Sequence, residues 1–286
     1  MSWDPWSGCY AASDGCKFCY YYGPYSKRYG QNTVAKTLDF TKPLAKNAKG
    51  AYKMAGGKTV ATCFTTDFFL PEADEWRAEA WAMIRARPDL EFMILTKRID
   101  RFHVALPADW GDGYENVYLG CTVEDQATTD YRLPQFLAAP IRRRFIACSP
   151  LLGAIDLAPY LHGVEQVSVN GESGKTPPKD GATSTQMTLI DSDDAPQHGF
   201  VRECDLAWVR ALYDQCREQF GQSVGVLSDS SRHVFSGAES GRSDLTFWFK
   251  GTGALLRVGD TVERVNPFKQ TSRAREILAA WHPTDA

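Results

Sequence analysis

The chain has 286 residues, of which 43% are hydrophobic, 23% charged and 12% aromatic, with a net charge of −3 and a pI near 6.0. That length buries a substantial core and is one that single α/β barrel domains often reach, so it does not by itself imply a second domain. The acidic balance argues against non-specific duplex binding, which shows as a basic surface. No apolar run reaches the roughly 18 residues that would span a bilayer. The opening Met1-Ser2-Trp3-Asp4-Pro5-Trp6 has neither the basic nor the apolar region of a signal peptide. The expectation is a cytoplasmic protein with no membrane partner.

In chain order, the first predicted feature is a loop over 8–20 that carries Cys9, Cys16 and Cys19, three of the eight cysteines. Crowded thiols in a chain without an export signal favour metal binding over a disulfide framework. A strand is predicted over 59–64, then a helix over 72–87. Acidic residues open that helix and Arg85 and Arg87 close it, an order that complements the helix dipole; Pro88 stops it. Strands over 91–96 and 116–123, a helix over 126–138, and strands over 144–148 and 164–170 follow. The strands are near-continuous apolar runs, as expected where both faces are covered.

Residues 173–199, rich in Pro, Asp, Ser, Thr and Gly, read as a long surface excursion, and 228–244 as a second. Between them come a helix over 205–220, with Leu206, Val209, Leu212, Tyr213 and Cys216 as its core stripe, and a strand over 223–227. A strand over 245–249, a hairpin over 255–265 and a helix near 273–281 complete the chain. Strand–helix alternation implies parallel βαβ units and a full or partial (β/α) barrel of the TIM type over 1–252, with a C-terminal extension over 253–286. A doubly wound sheet is the alternative, although no glycine-rich nucleotide loop occurs. No internal repeat or second domain is evident. The clusters Arg142-Arg143-Arg144 and Lys97, Arg98 with Arg101 read as solvated element ends.

The segment Gly8-Cys9-Tyr10-Ala11-Ala12-Ser13-Asp14-Gly15-Cys16-Lys17-Phe18-Cys19-Tyr20 has the spacing C-x6-C-x2-C. Three thiolates wrap one face of a cubane [4Fe–4S] cluster and leave one iron without a protein ligand. That iron can chelate S-adenosylmethionine, whose reductive cleavage yields a 5′-deoxyadenosyl radical. Phe18 sharpens this reading, because Cys-x-aromatic-Cys resembles the ending found in radical S-adenosylmethionine enzymes, where the aromatic packs near the adenine. The usual first gap is three residues, and here it is six. The competing reading is a zinc site completed by Cys63 or a histidine, in a nucleic-acid-binding or partner-binding protein without catalysis. Zinc sites more often come as two pairs, and no second CxxC occurs. A metal-dependent nuclease would need a carboxylate cluster that the sequence does not display.

Further segments continue the resemblance in order: Trp3-Asp4-Pro5-Trp6-Ser7-Gly8-Cys9, Ile94-Leu95-Thr96-Lys97-Arg98, Asn116-Val117-Tyr118-Leu119-Gly120, Ser149-Pro150-Leu151-Leu152-Gly153, Gly171-Glu172-Ser173-Gly174, Asp205-Leu206-Ala207-Trp208-Val209-Arg210, Gln215-Cys216 and Phe247-Trp248-Phe249-Lys250. Over about residues 2–252 the chain is similar to a family of three-cysteine, radical-S-adenosylmethionine-like proteins common in bacteriophages and bacteria. It departs from that family at Asn170, commonly a glycine, and at Ser149, often a glutamate.

The resemblance implies the barrel, the [4Fe–4S] cluster and S-adenosylmethionine as cofactors, and an electron donor such as flavodoxin or ferredoxin. It also implies a nucleotide, modified nucleobase or amino-acid-like substrate, free or within nucleic acid. The phage association points to hypermodification, such as an isomerase moving an amino group on a modified thymidine. Residues at the C-terminal strand ends of such a barrel face the site. Thr65, Thr66 and Asp67 read either as the element holding the methionine amino group or as a helix N-cap leading to Glu72. Glu124 reads as a ribose ligand, and Asn170, Glu172 and Ser173 as further cofactor contacts. Lys97 and Arg98 read as a carboxylate or phosphate site. Cys121 and Cys148 read as core thiols or as hydrogen donors to a radical.

Overall fold

The computed structural model describes residues 1–17, 19, 33–172, 202–220, 225–227, 245–249 and 255–264. The expectations for the excursions at 173–199 and 228–244, and for the helix near 273–281, lie outside the described residues. Thirteen strands and three α-helices are seen in the described residues. They are β1 (Ser2–Trp3), β2 (Trp6–Ser7), β3 (Ala35–Lys36), β4 (Lys58–Thr62), α1 (Asp74–Arg85), β5 (Leu90–Thr96), β6 (Val117–Val123) and α2 (Gln126–Ala138). Then follow β7 (Arg143–Cys148), β8 (Gln166–Val169), β9 (Glu203–Asp205), α3 (Leu206–Phe220), β10 (Gly225–Leu227), β11 (Thr246–Phe249), β12 (Leu255–Val258) and β13 (Thr261–Arg264).

Eight strands form one sheet in the order β1-β4-β5-β6-β7-β8-β11-β10, and every neighbouring pair is parallel. The protein is therefore an α/β fold on a parallel sheet, as its alternating pattern implies. Two features depart from a closed, strictly sequential barrel. No pairing joins β1 to β10 among the described residues, and β11 is inserted between β8 and β10.

Strand alternation divides the core in two. Phe92, Ile94, Leu119, Cys121, Val123, Ile146, Cys148 and Val167 form one cluster with Trp81 and Ile84 of α1, Leu133 and Phe136 of α2, and Val209, Leu212 and Cys216 of α3. Met93, Tyr118, Phe145 and Ala147 form the other, joined by Phe64 and Leu95. At the start of the strands Arg143 pairs with both Glu91 and Glu165 and lies 4.7 Å from the centre of the Tyr118 ring. Each fully buried Leu, Ile, Val or Phe contributes about 1.5–3 kcal/mol, against about 0–1 for an exposed ion pair, so the helix-covered cluster dominates stability.

The C-terminal hairpin, the described part of the expected extension, is tied to the strand before α3. β12 pairs parallel with β9, and Leu256 and Cys204 belong to the main core. Of the basic clusters only Arg142 is an exposed end, paired at the surface with Glu115. Arg98 is buried against Asp67, Arg101 holds Asp74, and Arg144 donates to the Ala139 carbonyl at 2.9 Å. Helix α1 ends at Arg85, which pairs at the surface with Asp109. Arg87, expected in its last turn, is instead fully buried beyond it. Its guanidinium donates to the Pro43 carbonyl, to the Met54 carbonyl at 2.7 Å and to Asp89 at 2.8 Å.

Replacing Arg87 with Met keeps the apolar stem but strands two buried carbonyls. Arg87→Met is expected to lower the unfolding free energy by about 2–4 kcal/mol, read from the urea midpoint at constant slope.

Candidate functional site

Because the strands of the main sheet run in one direction, the loops after β1, β4, β5, β6, β7 and β8 gather along one rim. In open parallel sheets that rim is where ligands bind. The cysteine loop reaches it first. Trp3 and Trp6 are completely buried and donate their indole N–H groups to the Phe40 carbonyl at 3.1 Å and the Asp67 carbonyl at 2.9 Å. The two rings clamp the N-terminal segment, so the chain leaves β2 directly over the sheet edge. Asp4, between them, carries a carboxyl whose pKa burial raises, with the Thr65 hydroxyl and amide opposing. Thr66 donates its hydroxyl to the Gly8 carbonyl. Gly8 has φ +89, and a Cβ there would stand 2.5 Å from the Thr33 carbonyl oxygen, so the turn into Cys9 requires glycine.

Residues 13–17 coil tightly, and Cys19 is tied back to Cys16. Cys16 N–H donates to the Ser13 carbonyl at 2.9 Å, Cys19 N–H to the Cys16 carbonyl at 3.1 Å, and the Ala12 amide to the Cys16 sulfur at 3.5 Å. Two buried carboxylates grip this coil from below. Glu124, 1% exposed, accepts from the Ser13 hydroxyl at 2.8 Å and from Lys97 through Oε1, and from Arg132 at 2.8 Å through Oε2. Gly15 lies against it so closely that a Cβ would meet Glu124 Cγ at 2.5 Å. Glu124 is itself held where β6 turns into α2, because its amide donates to the Thr128 hydroxyl at 2.9 Å and Asp125 caps the helix. Glu172 accepts three hydrogen bonds from Arg202, which also donates to the Asp14 side chain and, at 2.9 Å, to its carbonyl.

Most of the residues singled out from sequence therefore meet at this rim, but several play other parts there. The Asp67 carboxylate is saturated by Phe69 N–H, the Thr96 hydroxyl, Lys97 N–H and Arg98, so it ties β4 to β5. It caps no helix; α1 is preceded by Ala73 without a side-chain cap. Thr65 and Thr66 hold the N-terminal segment. Arg98 is not open to an anion, since it is consumed by Asp67 and, at 2.6 Å, by the Tyr10 carbonyl. Glu124 and Glu172 are buried braces of the loop and are not displayed to solvent. Lys97 is partly exposed between Glu124 and the Ser149 carbonyl. Asn170 presents a buried Oδ1 without a partner among the described residues. Phe18 and Ser173 lie outside the described residues.

Cys121 and Cys148 point away from the rim chemistry, into the helix-covered core. Burial pushes the Cys121 thiol up to about 12 and the Cys148 thiol well above its ordinary value, with Cys216 and Cys204 nearby. They are core thiols, because a hydrogen donor to the site would have to face it. Ser13, Asp14, Arg132 and Arg202 carry no such signal in the sequence. Arg132 is the most accessible of them, as a charged residue beside Leu133 and Phe136 on the apolar side of a predicted helix.

None of the eight cysteines is joined in a disulfide. Burial pushes the Cys9 thiol up to about 12, Asp67 and the neighbouring Cys16 and Cys19 thiols adding to the effect and Arg98 opposing it. The three loop cysteines thus lie within electrostatic reach of one another. Among the described residues no three His, Cys, Asp or Glu side chains converge on one ion position. The donor set, three thiols with an amide aimed at one sulfur and a guanidinium beside another, suits an iron–sulfur cluster.

A family model described as a protein of unknown function (DUF5131) matches residues 1–181, a span that contains the cysteine loop and the strands from β1 to β8. No curated protein and no solved structure matches the chain.

Two outcomes follow from the buried charges and thiols. Glu124→Gln leaves Lys97 and Arg132 facing a neutral amide and is expected to cost about 2–4 kcal/mol in urea unfolding, with Arg132→Met in the same chain restoring part of it. The Cys121, Cys204 and Cys216 thiols titrate at 9.0 without burial and near 12 in the fold. Their folded pKa is raised, so their contribution is whole below pH 9.0 and lost as pH climbs towards 12. Urea midpoints should fall over that window, and Cys121→Ala should flatten the fall.

Proposed function

The chain belongs to the DUF5131 family, proteins of unknown function, and from that footing we propose that it is an iron–sulfur enzyme of the radical S-adenosylmethionine kind. The observation that carries this reading is the placement of Cys9, Cys16 and Cys19. They stand on the loop that follows the first strands, at the C-terminal rim of an all-parallel sheet, braced by carboxylates from two strand ends. On this reading the sheet is a partial barrel with its concave side at Met93, Tyr118, Phe145 and Ala147.

Cys9, Cys16 and Cys19 would hold the cluster, and when bound it supplies one-electron cleavage of S-adenosylmethionine, given an electron from a donor such as flavodoxin or ferredoxin. The chain's own residues do the rest. Arg98, beside Cys9, opposes the burial that keeps that thiol protonated and so favours the thiolate a metal needs. The Ala12 amide supplies a hydrogen bond to the Cys16 sulfur, the kind of interaction that tunes a cluster's potential. Asn170 Oδ1 offers an acceptor suited to an amino group, and Lys97 offers the partly exposed cation at the rim. Substrates in keeping with this reading are nucleotides, modified nucleobases and amino-acid-like groups, with rearrangement of a modified thymidine in DNA as one case.

Anaerobic reconstitution with iron and sulfide tests it. The full chain is expected to take up four irons, show the broad visible band of sulfur-to-iron charge transfer, and release 5′-deoxyadenosine from S-adenosylmethionine under a strong reductant. Cys9→Ala, Cys16→Ala and Cys19→Ala should each lose at least about nine-tenths of both signals while the circular dichroism of the sheet persists. A colourless protein that binds a single zinc ion would end the reading.

A further inference from the structure

Although the chain as a whole is acidic, residues 36–58 contain six lysines, one aspartate and no other charged residue. Lys36 is paired with Glu79 at 2.7 Å and Lys42 with Asp39 at 2.9 Å. Lys46, Lys49, Lys53 and Lys58 are exposed, and none forms an ion pair with a carboxylate among the described residues.

The segment is built to hold its shape. Lys46 and Tyr52 form an antiparallel bridge, and Lys53 N–H donates to the Ala45 carbonyl at 2.8 Å. Asn47 Oδ1 accepts from the Lys49 and Ala51 amides at 2.9 and 3.1 Å, closing the tip. Buried Arg87 fixes the base through the Pro43 and Met54 carbonyls, and its guanidinium lies 4.0 Å from the Tyr52 ring centre, with Lys46 Nζ 4.8 Å from the same ring. The track starts at β3, paired with Ser7 beside the cysteine loop. It ends at Lys58, the first residue of β4, next to the start of β5. A braced hairpin beside the sheet thus carries several cations that no carboxylate compensates among the described residues.

We propose that this lysine track is a docking surface for the phosphodiester backbone of a nucleic acid. Several exposed ammonium groups without carboxylate partners complement a polyanion, and as point charges they engage phosphates without reading sequence. The one aromatic ring at the tip is clamped between Arg87 and Lys46, so the surface recognises charge and does not insert into a hydrophobic phase. Leu38 and Leu44 are exposed on the same segment, which makes anionic vesicles the necessary control. The proposal stands apart from the cluster, since binding by charge needs no redox centre.

The test is fluorescence anisotropy of the full, anaerobically reconstituted chain with fluorescein-labelled duplex DNA across a salt series. The parent chain is expected to bind with a negative log–log salt slope. The triple variant K46E/K49E/K53E should bind at least about tenfold more weakly, with a slope shallower by about 2–3, near 0.9 for each phosphate no longer neutralised. The triple variant K46R/K49R/K53R should keep both affinity and slope. No binding by the parent, an affinity and slope unchanged by charge reversal, or binding to phosphatidylserine vesicles but not to DNA would overturn the proposal. Release of 5′-deoxyadenosine without DNA is read in parallel and should be equal in parent and triple variant. Its failure in both would count against the cysteine reading and leave the docking result standing.

Discussion

The rim is organised around a single buried carboxylate. Glu124 sits at the end of β6 with a cation on each oxygen, Lys97 from the neighbouring strand end and Arg132 from the helix that follows. A carboxylate taken this far from water is tolerable only because both oxygens are hydrogen-bonded and flanked by charge. The Ser13 hydroxyl completes that arrangement, so the coil carrying Cys16 and Cys19 is attached to the sheet through a group that cannot move without exposing an unpaired ion.

A second brace repeats the logic from the other side. Arg202 joins Glu172, at the end of β8, to Asp14, again linking a buried acid to the coil through a charged hydrogen bond. With the hydrogen bond from Thr66 to Gly8, three strand ends fix one short loop. The residues that do so are polar, yet most are inaccessible to a ligand. Their work is to make a short loop behave as rigid structure.

Much of this was legible in the sequence, for physical reasons. Apolar runs in strands covered on both faces are unmistakable, so β4 to β8 and β10 to β11 match expectation to within a few residues, and α2 spans the expected 126–138. The two-residue β1 and β2 carry no period to read, and their position follows from where the Trp3 and Trp6 indoles find acceptors on distant loops. The cysteine loop was legible because its spacing is local. The roles of Glu124, Glu172 and Asp67 were not, because a carboxylate at a strand end looks the same in sequence whether it faces a ligand or a buried arginine. Arg202 lies past a long polar stretch and beyond the matched family region, and only the fold brings it to Asp14. The lysines of 36–58 are masked in the sequence by the net charge of the whole chain.

The braces also impose an order on assembly. Ser13 waits for a partner 111 positions later and Asp14 for one 188 positions later. During synthesis the three thiols emerge before the groups that immobilise them, Thr66 first, then Glu124 and finally Arg202. Until those partners emerge, the closure entropy of the tether between them is not offset by these two contacts. A metal arriving in that interval would meet an ensemble of loop shapes, whereas one arriving after Arg202 has docked would meet a single shape. The thiol loop therefore gains its last brace only after most of the sheet strands have been made, and nascent chains cut short before residue 202 would lack the link from Glu172 to Asp14.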